Sequence, residues 1–262
     1  MKNESIAKTF GVATLLCVVC AIIVSLSDVA LKERQNANKA LDKNVNLLRV
    51  AGEVGDKEKI SPEDAAKKLE AAKVVVVDLE TGAIVPDADP KAVEADKTNL
   101  RALDPDVNVA KIDKKDSPKL AVVYLFNDEQ GALKTVVLPI VGKGLWSTLR
   151  GFLALNGDLK TVARIVFYEQ GETAGLGGEI TNPSWTKNWE GKVAFDDAYV
   201  PIVKVAKGAA SADFEVDGIS GATLTGNGVT NTVQFWLGEN GFGPFLKTLR
   251  QDAPNATPAS EE

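Results

Sequence analysis

Eighteen consecutive residues, Phe10 to Ser27, carry no charge: FGVATLLCVVCAIIVSLS. No other segment restricts the folding of this chain as strongly. As an α-helix the run extends roughly 27 Å at ~1.5 Å per residue, enough to cross the hydrocarbon layer of a bilayer. Lys2 and Lys8 precede it, and Asp28, Lys32, Glu33 and Arg34 follow. Basic residues therefore flank both ends, and charge alone does not orient the segment. A cleaved signal peptide is the competing reading, but the run is long for one and no clean A-x-A site follows it. The expectation is an uncleaved anchor over residues 10–31, with residues 1–9 on the cytoplasmic side.

What the chain lacks is equally restrictive. It contains no histidine, which removes Ser-His-Asp and Cys-His catalysis, His-ligated zinc and His-ligated haem together. Its two cysteines, Cys17 and Cys20, both lie inside the apolar run. C-x-x-C is a redox and zinc spacing, and it is equally a pair of small apolar residues in a lipid-facing segment. Outside that run no disulfide and no Cys-bound iron–sulfur cluster is available, so any redox chemistry needs an organic cofactor. No catalytic side chain and no metal ligand is expected. A net charge of −6 argues against nucleic acid, whose phosphates call for a basic face.

Past the anchor, Leu41, Val45 and Leu48 recur at helical spacing within 35–51, which predicts an amphipathic helix. Ser61-Pro62-Glu63-Asp64 is a capped helix start with proline at the first position, the helix running to about Ala72. Val74–Val77 reads as a strand that turns at Glu80-Thr81-Gly82 back toward Ala83-Ile84-Val85. Residues 86–118 are polar and rich in Pro, Lys and Asp, and read as loop with short helix. Two hairpins follow, 120–126 with 133–141 and 152–155 with 162–168, each joined by Asn, Asp and Gly turn residues. Residues 183–189 read as a short helix, 200–205 as a strand, and 226–237 as a helix. The tail 252–262 is small, polar and acidic, a composition that favours disorder. The extracytoplasmic part, 32–251, is expected to be one α+β unit on an antiparallel sheet, with a helical and linker portion at 32–118 and a core at 119–251.

Two stretches bear on chemistry. Gly171-Glu172-Thr173-Ala174-Gly175-Leu176-Gly177-Gly178 is neither a P-loop nor a G-x-G-x-x-G fingerprint. Its glycines make a tortuous turn, or let backbone approach something flat. Asp217-Gly218-Ile219-Ser220-Gly221-Ala222-Thr223-Leu224-Thr225 ends in a hydroxyl at the start of a helix. That hydroxyl is either a cap or part of an anion site, because free N–H groups and the helix dipole both favour a phosphate there. Trp146, Trp185, Trp189 and Trp236 fit a core or a cofactor surface, and Thr230 and Thr232 read as ordinary surface residues.

Four segments, GLWSTLRGFLAL (144–155), YEQGETAGLGGEITNPSW (168–185), DGISGATLT (217–225) and FWLGENGFGPFL (235–246), together resemble one family in order and spacing. It is the family of C subunits of sodium-translocating NADH:quinone oxidoreductases, whose members carry a covalent FMN. The S-G-A-T-x-T core alone is also similar to the G subunit of ferredoxin:NAD oxidoreductase complexes, which is the alternative within the redox class. A membrane-anchored binding or assembly domain without cofactor is the alternative outside it. Ala174 departs from the family, which usually has proline there.

The resemblance implies an antiparallel-sheet FMN-binding domain behind a single N-terminal transmembrane helix. It implies FMN esterified through its phosphate to Thr225 by a separate flavin transferase using FAD, with Ser220, Gly221, Ala222, Thr223 and Leu224 around the phosphate. Glu172, Thr173, Leu176, Gly177 and Trp146 would line the ring system, Glu172 disfavouring the anionic reduced flavin by repulsion. It further implies an electron carrier between an iron–sulfur centre and a flavin held by a membrane-embedded partner, within an assembly of six subunits coupled to Na+ export. The location implied is the bacterial inner membrane, with the flavin domain in the periplasm.

Overall fold

The apolar run and the amphipathic segment after it form one uninterrupted helix. α1 spans Ile6–Val50, so the separate helix expected from residue 35 is the continuation of the helix through the apolar run. The reason is local: residues 28–50 contain neither glycine nor proline to break it. The helix stops at Gly52, whose φ of +78° allows the left-handed turn of a Schellman motif. Gly52 N–H donates to Arg49 C=O at 3.0 Å and Glu53 N–H to Leu48 C=O at 2.9 Å. This computed structural model describes residues 6–55 and 58–252; the acidic tail from 253 on and residues 1–5 lie outside them.

The chain divides within α1, after Lys43, into two compact units. In the first, every described side chain from Ile6 to Ala40 is exposed. Among the described residues α1 is the one helix long and apolar enough to cross a membrane. Cys17 and Cys20 are free and exposed on it.

The second unit is framed by an antiparallel meander in strand order β1-β2-β3-β4-β5. The strands are β1 (Lys73–Asp78), β2 (Leu120–Asn127), β3 (Leu133–Lys143), β4 (Thr148–Asn156) and β5 (Val162–Glu169). Both expected hairpins form, β2 with β3 and β4 with β5. The expected return of β1 on residues 83–85 forms over a short stretch, with Val77 bridged to Ile84 and the N–H groups of Asp78 and Val85 donating to Ala83 C=O at 2.9 Å and Val76 C=O at 2.8 Å; the other edge of β1 pairs with β2, Val75 opposite Val123. Asp78 closes the turn between β1 and residues 83–85, since its carboxylate accepts from Glu80 N–H at 2.8 Å and Thr81 N–H at 3.2 Å in an Asx turn.

The first short helix, α2 (Pro62–Glu70), starts where expected, with Ser61 Oγ accepting from Asp64 N–H at 3.1 Å. The polar linker holds α3 (Pro90–Ala95) and a single 3₁₀ turn at Lys114–Asp116. After β5 come α4 (Pro183–Thr186) and a two-residue parallel ladder of β6 (Lys204–Val205) with β7 (Glu215–Val216). The strand expected over 200–205 is thus mostly irregular. Last come α5 (Thr223–Leu237) and α6 (Gly243–Asp252), the latter not foreseen.

Side chains alternate across a strand, and in β3 both faces are buried. Val136, Leu138 and Ile140 join the main core with Trp189, Trp236, Phe242 and Phe245, while Val137 is fully buried on the other side. α5 lies on β3 at close range. A Cβ on Gly228 would strike the Lys143 carbonyl, and one on Gly142 would strike Thr232. Trp236 Nε1 donates to Val141 C=O at 2.7 Å. Thr232 is fully buried, and Thr230 Oγ1 accepts from Val205 N–H at 2.9 Å. Neither is the surface residue expected, because the helical glycines let α5 sink onto the sheet. This docking sets the first turn of α5 beside the end of β3.

Candidate functional site

Helix α5 begins at Thr223, three residues earlier than the periodicity suggested, with Ala222 in the cap position and no side-chain cap. Thr225 is therefore the third residue of the helix, and the cap reading of its hydroxyl does not hold. Thr225 Oγ1 donates to Glu172 Oε2 at 2.7 Å instead, and Thr225 is 1% exposed. The N–H groups of the first turn have no intrahelical partner, and Ala222 supplies none. A positive dipole end and free donors thus sit around a buried hydroxyl.

Glu172 reaches Thr225 from the glycine-rich loop and is anchored by the turn between β3 and β4. Its Oε1 accepts from Trp146 N–H and Ser147 N–H at 3.0 Å each and from Ser147 Oγ at 3.1 Å. Its Oε2 accepts from Leu145 N–H at 3.1 Å in addition to Thr225. Burial pushes this carboxyl up, but the hydrogen bonds from Thr225, Trp146, Ser147 and Leu145 outweigh it and hold the pKa below the usual carboxylate range. Ser147 Oγ also accepts from Gly171 N–H at 2.7 Å, tying the loop to the turn at a second point.

Glycine is required twice by close approach. A Cβ on Gly177 would lie 2.5 Å from Thr225 Oγ1 and 2.9 Å from Glu172 Oε2. One on Gly144 would lie 2.6 Å from Glu172 Oε1. Gly221 has a φ of +73°, the left-handed region that suits glycine, and faces the tip of Leu176. The loop is closed on itself by Leu176 N–H and Gly178 N–H, both donating to Thr173 C=O.

The structure brings together most of the residues singled out from sequence. Thr225, Glu172 and Gly177 meet directly. Ala222 is buried, whereas Ser220, Gly221 and Thr223 are exposed on the run leading into α5, and Thr173 is exposed on the loop. Trp146 (69% exposed), Leu224 (60%) and Leu176 (42%) stand at the surface, next in the chain to Ser147, Thr225 and Gly177 respectively, and Leu145 joins them there. Trp185, Trp189 and Trp236 belong to the core. Sequence reasoning missed Gly144, Leu145 and Ser147. Two of them act through backbone groups or the lack of a side chain, so the only signal was their place in the G-L-W-S run.

These residues fit a flavin nucleotide. A buried hydroxyl in the first turn of an uncapped helix suits an attached phosphate, and exposed apolar side chains nearby suit a flat ring. Comparison with known proteins agrees. Residues 144–238 match the FMN-binding domain. The chain is 44% identical over 259 residues to the C subunit of the Na(+)-translocating NADH-quinone reductase of Vibrio alginolyticus, covering 97% of this chain and 98% of that one. It is 44% identical to the C subunit from Haemophilus ducreyi, covering 96% and 97%. The crystal structure of Shewanella oneidensis NqrC superimposes with a TM-score of 0.71 at 31% identity, covering 82% of this chain and all of that one. The C subunit from Parabacteroides distasonis gives 0.61 at 26% identity, covering 86% and 98%. With two thirds and more of each relative spanned at this identity, the chain belongs to the family of Na(+)-translocating NADH-quinone reductase C subunits.

Proposed function

We propose that this protein is the electron-carrying C subunit of a sodium-translocating NADH:quinone oxidoreductase, bearing FMN esterified to Thr225. The observation that carries the reading is the 2.7 Å hydrogen bond that singles out Thr225, rather than the exposed Thr223, as an oriented hydroxyl inside the first turn of α5. FMN supplies the one-electron chemistry that no side chain of this His-free chain provides. The helix start stabilises the remaining negative charge of the phosphodiester by up to ~1–2 kcal/mol. Leu145, Trp146, Leu176 and Leu224 offer apolar surface to the ring. Glu172, with donors on both oxygens, acts at the attachment hydroxyl in this arrangement more directly than at the ring.

The protein takes electrons from an iron–sulfur centre and delivers them to a flavin in a membrane-embedded partner. Sodium transport is coupled to that flow in the other members of an assembly of six subunits. Anchoring through α1 in the inner membrane, with the flavin domain in the periplasm, keeps the carrier at high effective concentration next to its partners. A separate flavin transferase installs the cofactor. The test is flavin fluorescence on a denaturing gel after co-expression with that transferase. A fluorescent wild-type band with the mass increase of one FMN less water, and a dark Thr225→Ala band, are expected. A dark wild type in the presence of demonstrably active transferase refutes the reading.

A further inference from the structure

The Glu172–Thr225 contact is built for more than holding a loop. Five donors fix the carboxylate: three on Oε1, and on Oε2 the Leu145 N–H and the Thr225 hydroxyl. With its backbone donors in place it cannot rotate away, so the Thr225 proton points at Glu172 and the oxygen's lone pairs point elsewhere. A buried threonine of purely structural use would be satisfied by any acceptor, a backbone carbonyl being the common choice. Thr232 on the same helix does just that, donating to Gly228 C=O at 2.7 Å. Thr225 is paired with an ionised group instead. Gly177 packs closely on the same oxygen, where even a methyl group would come within 2.5 Å.

We propose that Glu172 is the proton acceptor for flavin attachment, so that this chain supplies the general base for its own modification. The inference rests on Thr225 being the attachment residue. In the step, Thr225 Oγ attacks the flavin-side phosphorus of a flavin dinucleotide held by the transferase. The Oγ–P bond forms and the pyrophosphate P–O bond breaks. The hydroxyl proton passes to Glu172 Oε2, and a nucleoside monophosphate departs. No oxidation or reduction occurs. The hydrogen bonds that lower the pKa of Glu172 keep it in the accepting, ionised form at neutral pH, and it returns the proton to water afterwards. Threonine is a weak nucleophile at its own pKa, so a positioned base within hydrogen-bond reach is the usual means of activating it.

The experiment is single-turnover flavinylation of the full-length apo protein in detergent, with saturating transferase and FAD, read by intact mass. Glu172→Gln keeps an acceptor for the hydroxyl and removes the base. Its rate is expected to fall by about 100-fold or more, the usual scale of general-base catalysis, while its thermal melt stays cooperative. Glu172→Ala leaves a small polar gap, and added formate is expected to raise its rate at least about tenfold where chloride does not. This second variant decides the matter should Glu172→Gln fold poorly. A Glu172→Gln rate within about threefold of wild type overturns the proposal, as does a slow Glu172→Ala that formate leaves unmoved. A wild type that takes no flavin at all refutes the Thr225 reading itself, and the two failures are thereby distinguished.

Discussion

Replacing Thr225 with valine removes one hydroxyl and almost no volume, which isolates the hydrogen bond at the centre of the site. Oε2 of Glu172 keeps Leu145 N–H at 3.1 Å and loses its shorter, 2.7 Å partner. Hydrogen bonds to a charged group contribute about 1.5–3 kcal/mol, and with Thr225 at 1% exposure no water replaces the lost donor. At ~2–4 °C per kcal/mol for a unit of this size, the apo variant should melt about 3–12 °C below wild type at pH 7. The difference has a defined pH dependence. Glu172 is held below the usual carboxylate range in the folded protein, so its bonds stabilise the fold fully above the unfolded pKa of about 4.3. That stabilisation is lost as pH falls through the lower, folded value. Because Thr225 is one cause of the depression, the wild-type advantage should be complete above about pH 5 and shrink on further acidification. The assay is thermal melting of both full-length apo proteins in detergent, followed by circular dichroism at several pH values. A variant that melts with wild type at pH 7, or a gap that widens on acidification, refutes the assignment of Glu172 as an ionised partner of Thr225.

Two further perturbations probe the same site from other sides. Gly177→Ala places a methyl group 2.5 Å from Thr225 Oγ1 and 2.9 Å from Glu172 Oε2. Overpacking of this kind costs about 1–3 kcal/mol, and the variant should both melt early and accept FMN poorly; melting and flavinylation equal to wild type would show that the loop yields. Trp146 is 69% exposed and serves Glu172 through its backbone N–H. Trp146→Ala should therefore leave the apo melt within the ~0.5 kcal/mol expected of a surface change, while altering the visible circular dichroism of the attached flavin. An unaltered flavin spectrum would remove Trp146 from the ring surface.

Much of this architecture is legible from residues because its causes are local. The long apolar helix follows from eighteen uncharged positions, the β2–β3 and β4–β5 hairpins from β-branched runs around Asn, Asp and Gly turns, and α2 from Ser61 and Pro62. Expectation and structure part where a local signal is outweighed by a distant one. The turn after β1 is closed locally by Asp78 and is legible, whereas the pairing of the other edge of β1 with β2, over forty residues away, is not. Thr230 and Thr232 look exposed until Gly226 and Gly228 allow α5 to sink against β3 and the β6 segment. Helix α6 is short, ten residues, and opens on Gly243-Pro244, residues that read as a turn.

The candidate site divides the same way. Sequence by itself determined the apolar run long enough to cross a membrane, the exclusion of histidine and cysteine chemistry from everything beyond it, and the hydroxyl-bearing S-G-A-T-L-T motif, since these depend on composition and short-range order. The resemblance points to Thr225, but only the tertiary structure decided what its hydroxyl faces. A helix starting at Thr223 leaves that residue exposed and turns Thr225 inward. There it meets Glu172, fifty-three positions earlier in the chain, held by backbone N–H groups of a turn twenty-five to twenty-seven positions earlier still. Backbone donors have no letter in a sequence, and their direction exists only once the sheet has placed the turn between β3 and β4 under the first turn of α5.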